Sequence, residues 1–527
     1  MDLHQPNAHE VTQTASRSKS SSPASGLRSQ RIGGVHGSCE ALGSFFRGGD
    51  LLCPLAFGMP SAGGDKECPV DYSHLSIMSY TLGGEDLPGG QECGFDGMGF
   101  ATTNTEVAYG LKSKVKMRLP IFVSAVGSSD VAKTNWDHCA AGAGVTGISL
   151  VCGENVCGLD PDLELDSNGR VVRSPEMSRR VEVYKRWHDG YGELIVRVNV
   201  EDTRLGVAEY VVGELGVETV EFKWGQGTGC TDEDAHVSSI ECAIELQKRG
   251  YLITPNPSEA ENQAAFRDGA FKYFRRYSRR GFIDHAGFMK EVDRVRKLGA
   301  RRVTLSIGLY PMAELAMAIK WASEARLDLL TIDGAVGGTG MNSWTMTEEV
   351  APSALQLQSM IYELCEKLAA KGSFVPDIAI GGGFSTEGHV FKVIAMGAPY
   401  VKTVCMGSDK MVSGMIDKNV GPWLREGPDV LSEIFCELGV GKEEAFIAYE
   451  SLVDGYGKVA VENMPLGAVA MYCFANGLRT GLQRLMVHSR NSCVRSIGRK
   501  DVVALTEEAS RVSGIPYVMA GHCNEAM

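Results

Sequence analysis

The 527-residue sequence has no run of about 18 consecutive apolar residues, the minimum for a helix that crosses a bilayer, so no membrane span is expected. Its 15 cysteines are scattered and form no CxxC pair. With no signal peptide apparent, that spacing points to a reduced, cytoplasmic setting rather than a disulfide scaffold. Basic residues are in deficit: 52 Lys and Arg stand against 65 Asp and Glu, a net charge of −13. A general nucleic-acid binder needs a basic face, so that class is set aside. Acidic residues are missing altogether from residues 11–38, where Ser is the commonest residue and the charges are all Arg or Lys. This composition reads as a disordered tail over residues 1–40, with an organelle transit peptide as the lesser alternative.

What is present is ordinary for a soluble globular chain: 44% hydrophobic and 22% charged residues. From about residue 110, apolar strand-like runs alternate with helical patterns. The candidate strands are Ile121–Ala125, Gly147–Cys152, Leu194–Val198, Val217–Lys223, Val303–Ile307, Leu329–Ile332, Ile378–Ile380 and Tyr400–Val404. Most are short and β-branched, as strands buried on both faces should be. Between them, Leu357, Met360, Ile361, Leu364 and Leu368 form one helical stripe, and Phe288, Met289, Val292 and Val295 another. Eight such repeats predict an α/β fold, a (β/α)8 barrel over residues 111–410. A Rossmann sheet would want GxGxxG after the first strand, where the chain instead reads SAVGSSD. Residues 41–110 are glycine-rich and aperiodic, which suggests an irregular wrap. Residues 411–527 read as a mainly helical extension.

In such a barrel, ligands sit at the carboxyl ends of the strands. The sixth candidate strand ends in TIDGAVGGTG, residues 331–340, and the seventh in IAIGGGFSTEGH, residues 378–389. The seventh and eighth ends carry Gly381, Gly382 and Gly383, then Met406 and Gly407. Consecutive glycine turns of this kind suit a phosphate held by backbone N–H groups, although glycines at strand ends also serve structure alone. The fourth end, VEFKWGQGTGC, places Lys223 and Gln226 near the mouth, where they suit a carboxylate or the carbonyl edge of a flavin; the bland reading is a lysine snorkelling at the strand end. At the second end, Glu154 has Cys152 and Cys157 around it, which read as buried thiols before they read as metal ligands. No metal site is expected. Arg197, within the third strand, either anchors an anion or pairs with a carboxylate inside the barrel. The cluster Lys272, Arg275, Arg276, Arg279 and Arg280 reads as a solvated helix face or, alternatively, a partner-docking surface.

Taken together, VEFKWGQG, IDGAVGGTG and IAIGGGFSTEGHVFKVIAMGA resemble the FMN-binding synthase domain of glutamate synthase and its stand-alone relatives. LPIFVSAVGSS resembles that family's first strand. Gly153, Glu154 and Asn155 stand where it has a Gly-Glu-Gly turn, and Arg204, Gly206, Val207, Glu209 and Tyr210 echo a segment before its fourth strand. The resemblance spans roughly residues 115–410. It implies FMN at the top of the barrel. Ser124, Ala125 and Val126 would line the flavin, and Lys223 and Gln226 would lie between flavin and substrate. Gly337 and Gly338 would approach the ligand, while Gly381, Gly382, Gly383, Met406 and Gly407 would surround the phosphate.

The chain also departs from that family. The lysine expected on the fifth strand is read as Thr304, the Gln-Gly-Ala-Lys turn becomes Gln226, Gly227, Thr228 and Gly229, and an acid is replaced by Val336. No cysteine triplet for an iron–sulfur cluster follows the eighth strand, since Cys405 and Cys436 lie too far apart, and no amino-terminal cysteine nucleophile opens the chain. The resemblance therefore implies an FMN-dependent oxidoreductase acting on a small carboxylate, amino or imino substrate. Its electrons would come from a soluble donor, and a homo-oligomer is compatible with it. The competing expectation is a catalytically degenerate barrel kept as a binding or scaffold module. A flavin-free isomerase or aldolase would need an acid/base partner beside Lys223.

Overall fold

The computed structural model describes residues 70–80, 103–224, 235–277, 279, 284–308, 311–334, 352–382, 384, 386–406 and 442–520. Eight parallel strands close into a barrel: β1 (Ile121–Val126), β2 (Leu150–Cys152), β3 (Leu194–Val198), β4 (Thr219–Trp224), β5 (Arg302–Ile307), β6 (Leu329–Asp333), β7 (Asp377–Gly381) and β8 (Val401–Met406). Each pairs with the next, and β8 pairs back to β1 through Val404–Ile121, Cys405–Phe122 and Met406–Val123. Every strand expected from the apolar runs is present, and the (β/α)8 expectation holds.

Helices form the outer ring: α1 (Asp130–Thr146), α2 (Pro175–Trp187), α3 (Val207–Gly213), α4 (His285–Lys297), α5 (Met312–Glu324), α6 (Ala354–Ala370) and α7 (Glu387–Gly397). Their starts are written locally. Ser129, Ser174, Asp284, Ser353 and Thr386 each cap a helix by accepting a backbone N–H of its first turn. The two predicted stripes face inward: Phe288, Val292 and Val295 are buried on α4, as are Leu357 and Ile361 on α6. The eighth helix of the ring comes from the segment expected as an extension. Helix α8 (Leu466–His488) packs against α1 and α7. Glycines permit the close approach: a methyl on Gly142 would sit 2.6 Å from Met471 Sδ, and one on Gly481 would sit 2.6 Å from the Glu387 carboxyl carbon.

Two smaller elements complete the description. An antiparallel hairpin, Val107–Tyr109 with Val115–Met117, lies under the amino-terminal mouth of the barrel. Its turn is held there by Asp377 and Asp328, which accept the Gly110 and Leu111 N–H groups at 3.0 Å each. Between β4 and α4 the chain builds a separate three-stranded antiparallel sheet, with Phe274–Tyr277 between Ala235–Val237 and Leu252–Thr254. This sheet has its own core of Val237, Ile240, Ala243, Leu246, Tyr251, Ile253 and Phe274. It also corrects one expectation. Arg275 and Arg276 lie on its central strand, not on a helix face, and alternate as strand residues must: Arg275 is exposed and Arg276 buried. Arg280 lies outside the described residues, as do residues 1–69 and 407–441.

Candidate active site

On β4, Phe222 and Trp224 point outward, where they meet Phe288 of α4 and, for Trp224, also Trp321 of α5. The intervening residues, Glu221 and Lys223, therefore face the lumen. Register carries the same face around the barrel. Arg197 and Thr304 stand level with Glu221, while Ser306 stands level with Lys223 and with Thr331. Asp333 stands level with Gly381, and Gly381 with Cys405. Barrel lumens are usually filled by branched apolar side chains. This one is charged and hydroxylated.

Two ion pairs dominate the carboxyl-terminal half. Arg197 Nε donates to Glu221 Oε2 at 2.6 Å, with both side chains buried. Lys223 Nζ donates to Glu154 in the turn after β2, and their side chains are only 7% and 8% exposed. Lys223 is thus drawn into the mouth rather than snorkelling outward, and Arg197 takes the carboxylate-pairing alternative. Burial alone would raise the Glu154 carboxyl, but the Lys223 and Arg197 cations outweigh it and hold it down to about 2. Glu221 and Asp333 go the other way. Burial raises both carboxyls against the pull of Arg197, with Lys223 also opposing the rise at Asp333. Burial likewise pushes the Cys405 thiol well up, and the Asp333 charge adds to the effect. Cys152 and Cys157 are buried and free, as expected of the thiols at the second strand end.

The ends of β1 and β2 pack backbone to backbone. A side chain on Gly153 would collide with Gly127 Cα at 2.6 Å, so two bare backbones meet there. The Gly153 N–H donates to the Val126 carbonyl at 2.9 Å. The buried Arg180 of α2 secures this contact by donating to the Val126 and Gly127 carbonyls at 3.2 and 2.8 Å, and it pairs with Glu176 at 2.8 Å. Its guanidinium lies 4.7 Å over the Trp136 ring.

Of the residues anticipated from the sequence, the structure brings Lys223, Ser124, Ala125, Val126, Gly381, Gly382 and Met406 to the carboxyl ends of their strands. Ser124 also interacts with the Cys405 thiol across β1 and β8. Gly381 and Gly382 have packing reasons to be glycine: a methyl on Gly381 would overlap the Asp333 carboxylate, and one on Gly382 would lie 3.1 Å from Ala354. Gln226, Val336, Gly337, Gly338, Gly383 and Gly407 lie outside the described residues. Along β5, Ser306 stands level with Lys223, while Thr304 lies one inward position deeper, level with Glu221. Sequence reading passed over Glu221, Asp333 and Arg180 as site residues. An acid two residues before Lys223, on the same face of an apolar strand, was the available signal for Glu221, whereas nothing local marked Arg180.

Residues 281–415 match the conserved region in glutamate synthase, a stretch that contains β5 to β8. The resemblance read from the motifs is borne out there. No curated protein matches the chain at a significant level. Among solved structures, a flavocytochrome b2 mutant with pyruvate bound has a TM-score of 0.45 at 11% identity, covering 98% of this chain and 91% of that one. The flavin-binding domain of baker's yeast flavocytochrome b2 has a TM-score of 0.45 at 12% identity, covering 86% and 82%. The monotopic membrane protein (S)-mandelate dehydrogenase has a TM-score of 0.40 at 10% identity, covering 96% and 100%. Among the described residues of this chain, no helix is long and apolar enough to cross a membrane.

Proposed function

We propose that the protein is an FMN-dependent oxidoreductase of the glutamate synthase-like kind, acting on a small carboxylate, amino or imino substrate. The carrying observation is the buried Lys223–Glu154 pair, set at the carboxyl-terminal mouth of a barrel whose second half matches the conserved region in glutamate synthase. The residues present suit FMN. Lys223 and Arg197 supply cations for the polar edge of a flavin at the carboxyl ends of the strands. When bound, FMN supplies two-electron hydride chemistry. The chain's own contribution is electrostatic and positional. Lys223 orients a substrate carboxylate, Glu154 holds Lys223 in place, and the buried lumen excludes water. A soluble donor supplies electrons, and the free, mostly buried thiols suit a reducing cytoplasm.

The test is a visible spectrum of the purified full-length protein, with mass analysis of any small molecule released on denaturation. A flavin band and FMN are expected. A colourless protein that takes up no added FMN sinks the reading. The degenerate-barrel alternative draws on Ser306, an uncharged residue level with Lys223. A protein that binds FMN yet reduces and reoxidises it with no donor and acceptor pair would favour that alternative.

A further inference from the structure

The unit inserted between β4 and α4 grips the turn that carries Glu154 through Arg249 and Tyr251, which lie between its helix Ile240–Lys248 and its strand Leu252–Thr254. Asn155, the residue after Glu154, has a left-handed backbone with φ of +65°, a conformation that asparagine adopts more readily than most residues and that its hydrogen bonds here secure. Three groups supply them. The buried Asp202 carboxylate accepts the Asn155 N–H at 3.0 Å and the Asn199 N–H at 3.3 Å. The Asn199 side-chain amide donates to Asn155 Oδ1 at 3.0 Å. The third group belongs to the inserted unit: the Tyr251 hydroxyl donates to the same Asn155 oxygen at 3.2 Å.

The fit continues along the turn. A methyl on Gly158 would overlap the Tyr251 hydroxyl, so this glycine makes room for that tyrosine. Arg249 donates to the Gly158 and Asp160 carbonyls at 3.0 and 2.6 Å, and Leu159 packs against the inserted sheet's core. Buried Arg276 lies 5.3 Å over the Tyr251 ring and fixes it from behind. Residues 155–160 are therefore held on one side by the barrel and on the other by the insertion.

We propose that the unit inserted between β4 and α4 is part of the active-site machinery: Arg249 and Tyr251, in the turn between its helix Ile240–Lys248 and its strand Leu252–Thr254, join Asp202 of the barrel as positioning residues that hold the Glu154 turn so that Glu154 meets Lys223. This rests on the reading of the barrel mouth as the FMN site. It adds that the geometry of that site depends on an element outside the (β/α)8 frame.

The test uses the full-length chain with Tyr251→Phe, which deletes only the hydroxyl, and Arg249→Met as a second variant. Hydrogen exchange of residues 153–160 needs no cofactor. It is expected to quicken by about tenfold in each variant while the hairpin at 107–117 stays unchanged. FMN affinity, followed by quenching of FMN fluorescence, is expected to weaken by about tenfold in each. In a Glu154→Gln background, the same substitutions are expected to weaken FMN binding less than about twofold, because coupled residues are not additive. Unchanged exchange in residues 153–160 overturns the proposal. So does an undiminished loss of FMN affinity in the Glu154→Gln background, which a merely structural role would produce. If the unaltered protein takes up no FMN, the proposed function fails, and the exchange measurement still decides whether the insertion holds the turn.

Discussion

The two ends of the barrel each bury an arginine against a glutamate, but they surround the pair differently. At the amino-terminal end, Arg302 pairs with Glu193 at 2.8 Å, donates to Thr219 at 2.9 Å and reaches Glu218 and Ser113. Tyr109 of the hairpin closes the set by donating to Glu193 at 2.6 Å. Arg302, Glu193, Thr219 and Tyr109 thus partner one another, and the hairpin lies over the opening. At the carboxyl-terminal end, three acids (Glu154, Glu221 and Asp333) face two cations, Arg197 and Lys223. Among the described residues, Glu221 Oε1 and the hydroxyls of Thr304, Thr331 and Thr403 have no hydrogen-bond partner. A buried polar atom left unpaired costs about 1–3 kcal/mol. The Arg302 set is closed by its own partners, whereas several polar atoms of the carboxyl-terminal set find none among the described residues.

The contrast can be broken most forcefully at the amino-terminal end. Arg302→Met should strand Glu193 and destabilise the fold by about 3–5 kcal/mol, read from urea denaturation, while the flavin spectrum of the protein that still folds stays unchanged. Lys223→Met should do the reverse. Turnover should fall by about 10²–10³-fold with a smaller change in the unfolding midpoint. Equal losses of stability from both substitutions would erase the distinction between the ends. Tyr109→Phe keeps the ring and removes one donor to Glu193, so about 1–3 kcal/mol of stability should be lost, with kcat and KM unaffected.

Acid should separate the ends more gently. Glu154 is held at about 2, below its ordinary 4.5, so its contribution to stability is present above pH 4.5 and is lost as pH falls through 2. Burial raises Glu193 above its ordinary value, so its contribution is present below that value and is lost as pH climbs through the raised one. Glu154→Gln should therefore flatten the loss of stability between pH 4.5 and 2, whereas Glu193→Gln should not, as unfolding midpoints across that range would show.

Much of the frame was legible in the chain. Short β-branched runs such as Leu329–Ile332, separated by stripes such as Leu357, Ile361 and Leu364, are local patterns, and local patterns survive folding. The charged lumen was half legible. Arg197 and Lys223 stand out inside apolar strands, but their partners are not neighbours in sequence: Glu221 lies 24 residues from Arg197, and Glu154 lies 69 from Lys223. Register was not legible. That Ser306 stands level with Lys223 and Thr304 with Glu221 depends on how β4 and β5 align, which neither strand records alone. The inserted sheet was missed because its strands are three or four residues long and its arginines mimic a charged helix face.

The sequence by itself determined the strand and helix order, the helix caps and the motifs shared with glutamate synthase, because each depends on residues within a turn or two of one another. The tertiary structure decided which charges meet. It drew Lys223 to Glu154 and Arg197 to Glu221, closed the ring with α8 from a segment far past β8, and set Tyr251 against Asn155. Those outcomes depend on barrel closure and strand register, which bring together side chains that no local pattern connects.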